Sequence, residues 1–313
     1  MEQQDTNLSK PVAVAACTGM ACVYVAILYA PTLVLRLPPP SSVKEFMIRR
    51  FICAALSSIV SLLFCALILP VKGMEASSLV GVYGIRLDHM WQAVAFPLFL
   101  TSLMYTGSLV LKALLLVDSL KDHMNHGGNL SLGCIKDALQ DLLSWTQATA
   151  SNILAWRNYV VAPVTEELVF RACMIPLLLC GRFKIYNVIF LCPIFFSLAH
   201  LNHWMEIYSH QNYSLLKASM VVGLQLVYTV IFGSYASFLF VRTGHLTAPL
   251  IAHIFCNFMG LPELFARRKG IVSLAFVAGM TAFLFLLFPL TRPDLYNDRT
   301  NNCRCWNGYC SWT

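Results

Sequence analysis

Charged side chains are scarce in this chain of 313 residues. Lys, Arg, Asp and Glu make up 12% of it, whereas hydrophobic residues make up 58% and the mean hydropathy is +0.66. An ordinary soluble domain carries about 25% charged residues, so the composition excludes that class. The net charge of +7 suits an anionic lipid surface and gives no reason to expect a nucleic-acid partner. The sequence therefore predicts a protein of the lipid bilayer.

Signals of several architectures are also missing, since the chain shows no alternating β-barrel pattern, no internal repeat and no soluble module. Backbone groups in lipid must pair within their own segment, which leaves helices. Windows long enough to cross roughly 30 Å of hydrocarbon are 12–35, 51–71, 92–117, 159–180, 185–204, 214–241, 244–262 and 271–290. We predict an all-α, polytopic integral membrane protein with about eight transmembrane helices in a single membrane domain, 1–313. The first window lacks a basic segment before it, so we expect a retained anchor.

The twelve cysteines do not form a disulfide framework. Most stand singly in or beside the apolar windows, where they are expected to behave as small hydrophobes. Cys303, Cys305 and Cys310 cluster in the polar tail 291–313. That tail would hold a disulfide if it is lumenal, or a palmitoylated or metal-binding cysteine if it is cytosolic. Its spacing matches no zinc motif.

Three apolar stretches carry ionisable groups, although a charge at the membrane centre costs roughly 2.5–3.5 kcal/mol even on gentle scales. In the first stretch, PVTEELVFRACMIP, Pro163 begins or kinks a helix that carries Glu166 and Glu167. Arg171 lies four residues after Glu167 and shares its helix face. It would neutralise the pair so that one carboxylate can take a proton from water near neutral pH. Taken alone, the same residues fit a buried ion pair that fixes helix packing.

The other two stretches contribute hydrogen-bonding groups. His200 lies deep in the apolar segment FFSLAH, and HIFCN carries His253 and Asn257. These last two are four residues apart and share a helix face. As neutral donors aimed at one point they would form an oxyanion hole, although metal binding and simple helix contact stay open for this pair alone.

A nucleophile of another class is not evident, because the chain contains neither a GxSxG elbow nor an HExxH motif. A base, an arginine that sets its charge, and three donors inside the membrane match the parts needed for peptide hydrolysis by activated water. Two histidines and a glutamate from separate helices could still hold zinc. Without that metal, no cofactor is expected.

The three motifs stand in a fixed order on separate predicted helices: EELVFR (Glu166–Arg171), FSLAH (Phe196–His200) and HIFCN (His253–Asn257). They resemble the EExxxR, FxxxH and HxxxN motifs of the Ras-converting CAAX prenyl endopeptidase family, part of the wider Abi superfamily. The region 155–262 is the motif-bearing catalytic core, and the preceding spans suit the eukaryotic type. Each motif alone is short, but the ordered set is specific and no motif position departs from it.

The resemblance implies a protease of the endoplasmic reticulum membrane, whose helices enclose a catalytic cavity. It would remove the last three residues, aaX, from prenylated CaaX proteins. On this basis Glu166 activates the water with help from His200, and His253 and Asn257 stabilise the oxyanion. The lipid bilayer is itself a partner, since a prenyl chain tethers the substrate there.

The resemblance also assigns Glu167 and Arg171 to support of the base. Two rival functions remain at the level of sequence. One is a non-proteolytic scaffold of the same superfamily. The other is a membrane transporter with a Glu, Arg and His relay, which would favour inverted repeats, and the chain shows none.

Overall fold

The computed structural model describes residues 8–69, 76–125, 132–201, 215–261 and 269–296, and every regular element in these ranges is a helix. The first half forms α1 (Lys10–Leu33), α2 (Val43–Ile68), α3 (Ala76–Val82), α4 (Met90–Met104), α5 (Thr106–Asn125) and α6 (Leu132–Ser151). An unbroken helical rod follows, which we call the motif helix: α7 (Ile153–Trp156), a first π-helical turn (Arg157–Val161), α8 (Ala162–Glu167), a second π-helical turn (Leu168–Cys173) and α9 (Met174–Cys180). The remainder forms α10 (Ile185–Ala199), α11 (Leu215–Thr243), α12 (Thr247–Met259), α13 (Lys269–Leu290) and a 3₁₀ turn (Pro293–Leu295). The three tail cysteines lie outside the described residues.

Four helices of the described part are long and apolar enough to cross a membrane, namely Lys10–Leu33, Val43–Ile68, Leu215–Thr243 and Gly270–Leu290. The pair Met90–Met104 and Thr106–Asp122 makes a fifth if it is one span, although it bends by 78°. Helices α10 and α12, with 15 and 13 residues, are apolar but only roughly 20 Å long. The all-helical, multi-span architecture is therefore confirmed, whereas the predicted number of eight is not. Windows of apolar sequence do not show where a helix ends within them.

Helix α1 packs antiparallel to the motif helix. The hydroxyls of Tyr24 and Thr165 are 3.2 Å apart, and the Cys17 thiol lies 3.9 Å from the carbonyl oxygen of Met174. Because the residue number falls along α1 as it rises along the motif helix, the two rods run in opposite directions. The Cys17 side chain is fully buried, in line with the prediction that such cysteines behave as small hydrophobes.

Helix α2 packs parallel to the motif helix, in constant register. The Ser58 hydroxyl donates to the carbonyl oxygen of Thr165 at 3.4 Å, over an offset of 107 residues. The Cys65 thiol donates to the carbonyl oxygen of Cys173 at 3.4 Å, over an offset of 108 residues. The two contacts are about two turns apart, so residues that differ by about 107 in number lie at the same height on the two helices.

Each π-helical turn of the motif helix accompanies a proline. Pro163 stands at the start of α8 and Pro176 lies within α9. A proline ring clashes with the carbonyl group four residues earlier, here that of Tyr159 or Ala172, and leaves it without its usual donor. Both of those residues lie inside the π-helical turns, where the helix is wider. The motif helix thus passes its prolines without breaking, and such wide turns are frequent at functional sites.

Helix α11 approaches the motif helix and α10 closely at Gly233. A Cβ atom there would lie 2.6 Å from Cβ of Pro193 and 3.1 Å from Nη2 of Arg171. Real Cβ atoms essentially never approach another heavy atom within 3.0 Å. Only glycine therefore allows this packing, in which α11 covers one side of the guanidinium group of Arg171.

We expect Gly233→Ala to lower the midpoint of thermal unfolding of the purified chain in detergent, because overpacking a core costs about 1–3 kcal/mol. Gly223→Ala in the same helix is the matched control, since nothing lies within 4 Å of a Cβ atom there. Replacing an unhindered helical glycine by alanine stabilises by roughly 0.5–1 kcal/mol. A midpoint for Gly233→Ala equal to or above that of Gly223→Ala would contradict the close approach.

Candidate active site

A cavity of about 450 Å³ lies between α1, α2, the motif helix, α10, α11 and α12. Its volume is within the usual range of small-molecule sites, roughly 300–1,000 Å³. Glu166, His200, His253 and Asn257 all line it. The structure thus brings residues of all three motifs, which lie far apart in sequence, to the wall of one cavity.

The pair Glu167 and Arg171 lies directly behind this wall. Both side chains are fully buried, and Nη1 of Arg171 donates to Oε1 of Glu167 at 3.0 Å. The predicted sharing of one helix face is confirmed. A buried pair of this kind contributes little net stability, but removing one partner leaves an uncompensated charge and costs about 3–5 kcal/mol.

The guanidinium of Arg171 lies against the ring of Phe196, with Cζ 4.6 Å from the ring centroid. The same ring stands edge-on to the ring of His200 at 4.7 Å and 6.3 Å from that of His253. Phe196 therefore fixes the positions of three polar groups at once. Sequence reasoning quoted it as part of a motif but assigned it no role at the site.

His253 connects the two carboxylates. Its Nδ1 lies 2.7 Å from Oε1 of Glu167, and its Nε2 lies 3.7 Å from Oε2 of Glu166. An ionised carboxylate can only accept, so Nδ1 carries the proton of the shorter contact. A neutral ring would then have no proton on Nε2. In a neutral ring the one proton is thus directed at Glu167, and donation into the cavity needs a proton on Nε2 as well. The role of His253 as a donor to an oxyanion stays a prediction.

The four side chains of this cluster are almost closed to solvent. The side chain of His253 is 8% exposed and that of Glu166 is 15% exposed, while those of Glu167 and Arg171 are fully buried. An uncompensated charge in such a setting is costly, so the contacts among these four groups stabilise one another.

His200 and Asn257 are each held by a backbone carbonyl. Nδ1 of His200 lies 2.9 Å from the carbonyl oxygen of Phe196 and therefore donates to it, which leaves Nε2 of a neutral ring as an acceptor. Nδ2 of Asn257 donates to the carbonyl oxygen of Asn158 at 2.8 Å. That bond uses one of two amide hydrogens, so the other can point into the cavity. Asn158 lies in the first π-helical turn, and nothing in the sequence marks it as part of the site.

Metal ligation was left open by the sequence. Among the residues that the structure describes, no group of three or more His, Cys, Asp or Glu side chains is arranged to hold a metal ion. Cys256, one of the thiols near the motifs, lines the cavity, whereas Cys173 is buried in the packing around the second π-helical turn.

Comparison with known proteins extends the likeness beyond the motifs. Residues 148–259 match the family model described as type II CAAX prenyl endopeptidase Rce1-like. A protein of Arabidopsis thaliana named CAAX prenyl protease 2 is 60% identical over 312 residues, which is 100% of each chain. The Homo sapiens protein of that name is 35% identical over 300 residues, 92% of this chain and 83% of the relative. The Caenorhabditis elegans one is 31% identical over 262 residues, 80% and 86% of the two chains.

No solved structure gives a significant match. Among the sequences, however, the resemblance is not limited to the three short motifs. The Arabidopsis relative aligns over its whole length, including the spans that precede the motifs and the residues that line the cavity. The chain belongs to the type II CAAX prenyl endopeptidase family, in its eukaryotic form.

Proposed function

We propose that this protein is an intramembrane endopeptidase of the endoplasmic reticulum that cuts prenylated CaaX proteins after the prenylated cysteine and releases the aaX tripeptide. Relatives named CAAX prenyl protease 2 support the substrate class. The observation that carries the chemistry is the contact of Glu166 with His253 at 3.7 Å in the wall of the cavity. A carboxyl group and an imidazole ring there face the same space.

In the first step Glu166 takes a proton from water, and the water oxygen bonds to the carbonyl carbon of the prenylated cysteine. His200 accepts a hydrogen bond from that water through Nε2 and orients it. The carbonyl π electrons move to oxygen, giving a tetrahedral oxyanion. No covalent bond to the protein forms, so no protein nucleophile is required.

The oxyanion is held by Nε2–H of His253 and by the second amide hydrogen of Asn257. In the next step the oxyanion re-forms the carbon–oxygen double bond, the carbon–nitrogen bond breaks, and Glu166 gives its proton to the leaving amine. The new prenylcysteine carboxylic acid then gives its proton to the amine of the tripeptide, so the products are a prenylcysteine carboxylate and a free tripeptide with a protonated amino group. Glu167 orients His253 by accepting from its Nδ1–H, while Arg171 pairs with Glu167.

We expect Glu166→Gln to lower kcat for a farnesylated CaaX peptide by roughly 10²–10⁴, the usual contribution of a general base. The measurement uses the purified chain in lipid vesicles. Cys256→Ala is the matched control, because Cys256 lines the same cavity and should leave kcat near that of the wild type. Near-normal turnover in Glu166→Gln would remove this residue from the role of base. Complete loss in a folded Cys256→Ala protein would instead favour a thiol nucleophile.

Glu167→Gln should lower both stability and activity, because it leaves the charges of Arg171 and His253 without their shared carboxylate. The buried-charge penalty is about 3–5 kcal/mol. Adding Arg171→Met should restore part of the unfolding midpoint, since it removes the excess charge, but should not restore cleavage. The unfolding midpoint and kcat are measured for the two single variants and for the double variant, which gives a double-mutant cycle. Equal recovery of the midpoint and of kcat in the double variant would mean that Glu167 acts on packing alone.

The oxyanion hole and a zinc site predict opposite results at Asn257. If Asn257 donates to the oxyanion, Asn257→Asp should lower kcat by roughly 10²–10³, the loss expected for one donor, with KM changing less. Prolonged dialysis against a chelator should leave wild-type turnover unchanged. A zinc site would tolerate Asp, which is a good ligand. Retained activity in Asn257→Asp together with chelator loss that zinc restores would overturn the glutamate mechanism.

A further inference from the structure

The cavity extends from Glu166 toward the start of the motif helix, and two arginines line it there. Besides the histidines, the cationic side chains of its described lining are Arg50 of α2 and Arg157 of the first π-helical turn. Glu166 is the carboxylate of that lining. The described lining therefore has one carboxyl group, at which the proposed function places the activation of water, and two guanidinium groups. The helix register gives the position of the guanidinium groups relative to Glu166.

The register of α2 against the motif helix places the two arginines within about one residue of the same height. Arg50 and Arg157 differ by 107 residues, which is the offset of the hydrogen bond between Ser58 and Thr165. Because α2 and the motif helix run in parallel, the two side chains approach the cavity from neighbouring helices at one level. Arg50 stands eight residues before Ser58, which is about 12 Å along the helix axis. Ser58 lies at the height of Thr165, and Glu166 directly follows Thr165. The arginines therefore lie about 12 Å from the height of Glu166 along the helix axis.

Arg50 is held in place by aromatic rings. Its Cζ lies 4.8 Å from the ring centroid of Phe46 and 5.7 Å from that of Tyr29. Such cation–π contacts restrain the long side chain. A guanidinium with a fixed plane is suited to bind a carboxylate through two parallel hydrogen bonds.

We propose that Arg50 and Arg157 bind the C-terminal carboxylate of the substrate, an inference that rests on the proposed function. Three residues in extended conformation span about 10 Å, close to the separation between the level of Glu166 and that of the arginines. A tripeptide bound with its carboxylate at the arginines thus has its first amide bond at Glu166. The paired arginines act as positioning residues, which select chains that end three residues after the prenylated cysteine.

The test compares two farnesylated CaaX peptides of the same sequence, one ending in a free carboxylate and one in a carboxamide. For the wild-type chain in lipid vesicles we expect kcat/KM to be roughly 10- to 100-fold higher for the acid, the scale of a charge-assisted interaction, mostly through KM. Cleavage of both peptides at equal rates would overturn the carboxylate site and leave the protease function intact. Cleavage of neither peptide would instead count against the proposed function itself.

Arg50→Gln and Arg157→Gln should each lower this acid-to-amide ratio, and the double variant should bring it near one. Arg49→Gln is the matched control, because Arg49 pairs with Glu45 and the carbonyl of Pro38 and does not line the cavity; its ratio should equal the wild-type value.

The ratio separates recognition from folding, since a purely structural defect lowers both rates together. Arg157 is exposed, so its variant is expected to fold even if the Arg50 variant does not. An unchanged ratio in folded Arg157→Gln would overturn the paired site. Arg50→Lys should retain part of the ratio, because Lys keeps the charge but lacks the planar fork.

Discussion

One oxygen of the Glu167 carboxylate accepts from both the guanidinium of Arg171 and the imidazole of His253. This shared acceptor ties the motif helix to α12 and sets which nitrogen of His253 faces the cavity. A membrane interior tolerates such groups only when their charges cancel. The neighbouring Glu166 contacts the other nitrogen of His253 and lines the cavity. The buried ion pair and the position of the cavity carboxyl group therefore depend on the same four side chains.

The backbone around this cluster is irregular beside its polar side chains. The first π-helical turn presents the carbonyl oxygen of Asn158 to Asn257, and the second carries Arg171. Two buried thiols donate to carbonyl oxygens of the second turn, Cys192 to Phe170 at 2.7 Å and Cys65 to Cys173 at 3.4 Å. Glycine at 233 then lets α11 close over the arginine. The cysteines thus contribute through packing and weak hydrogen bonds rather than through reactivity.

Spacing along one helix could be read from the sequence, but relations between helices could not. The contact of Glu167 with Arg171 follows from an interval of four residues, and the order of the three motifs predicted the family. The tautomer of His253 depends on a carboxylate 86 residues away, and no local pattern carries that distance. Phe196 looked like one more apolar residue of a membrane helix. The number of spans is not confirmed, because an apolar window does not show where its helix begins and ends, as in α10 and α12.

The parallel packing of α2 and the motif helix constrains how the chain is threaded through the bilayer. Two rods that point the same way and both cross a bilayer begin on the same side of it. If α2 and the motif helix both cross, the chain leaves α2 on one face and enters the motif helix from the other, so the connection between them has to change faces. Within the described part of that connection, the bent pair of α4 and α5 has the length and apolar character for one crossing if it is a single span. Such a threading would put Leu69 and Asn152 at opposite faces of the membrane.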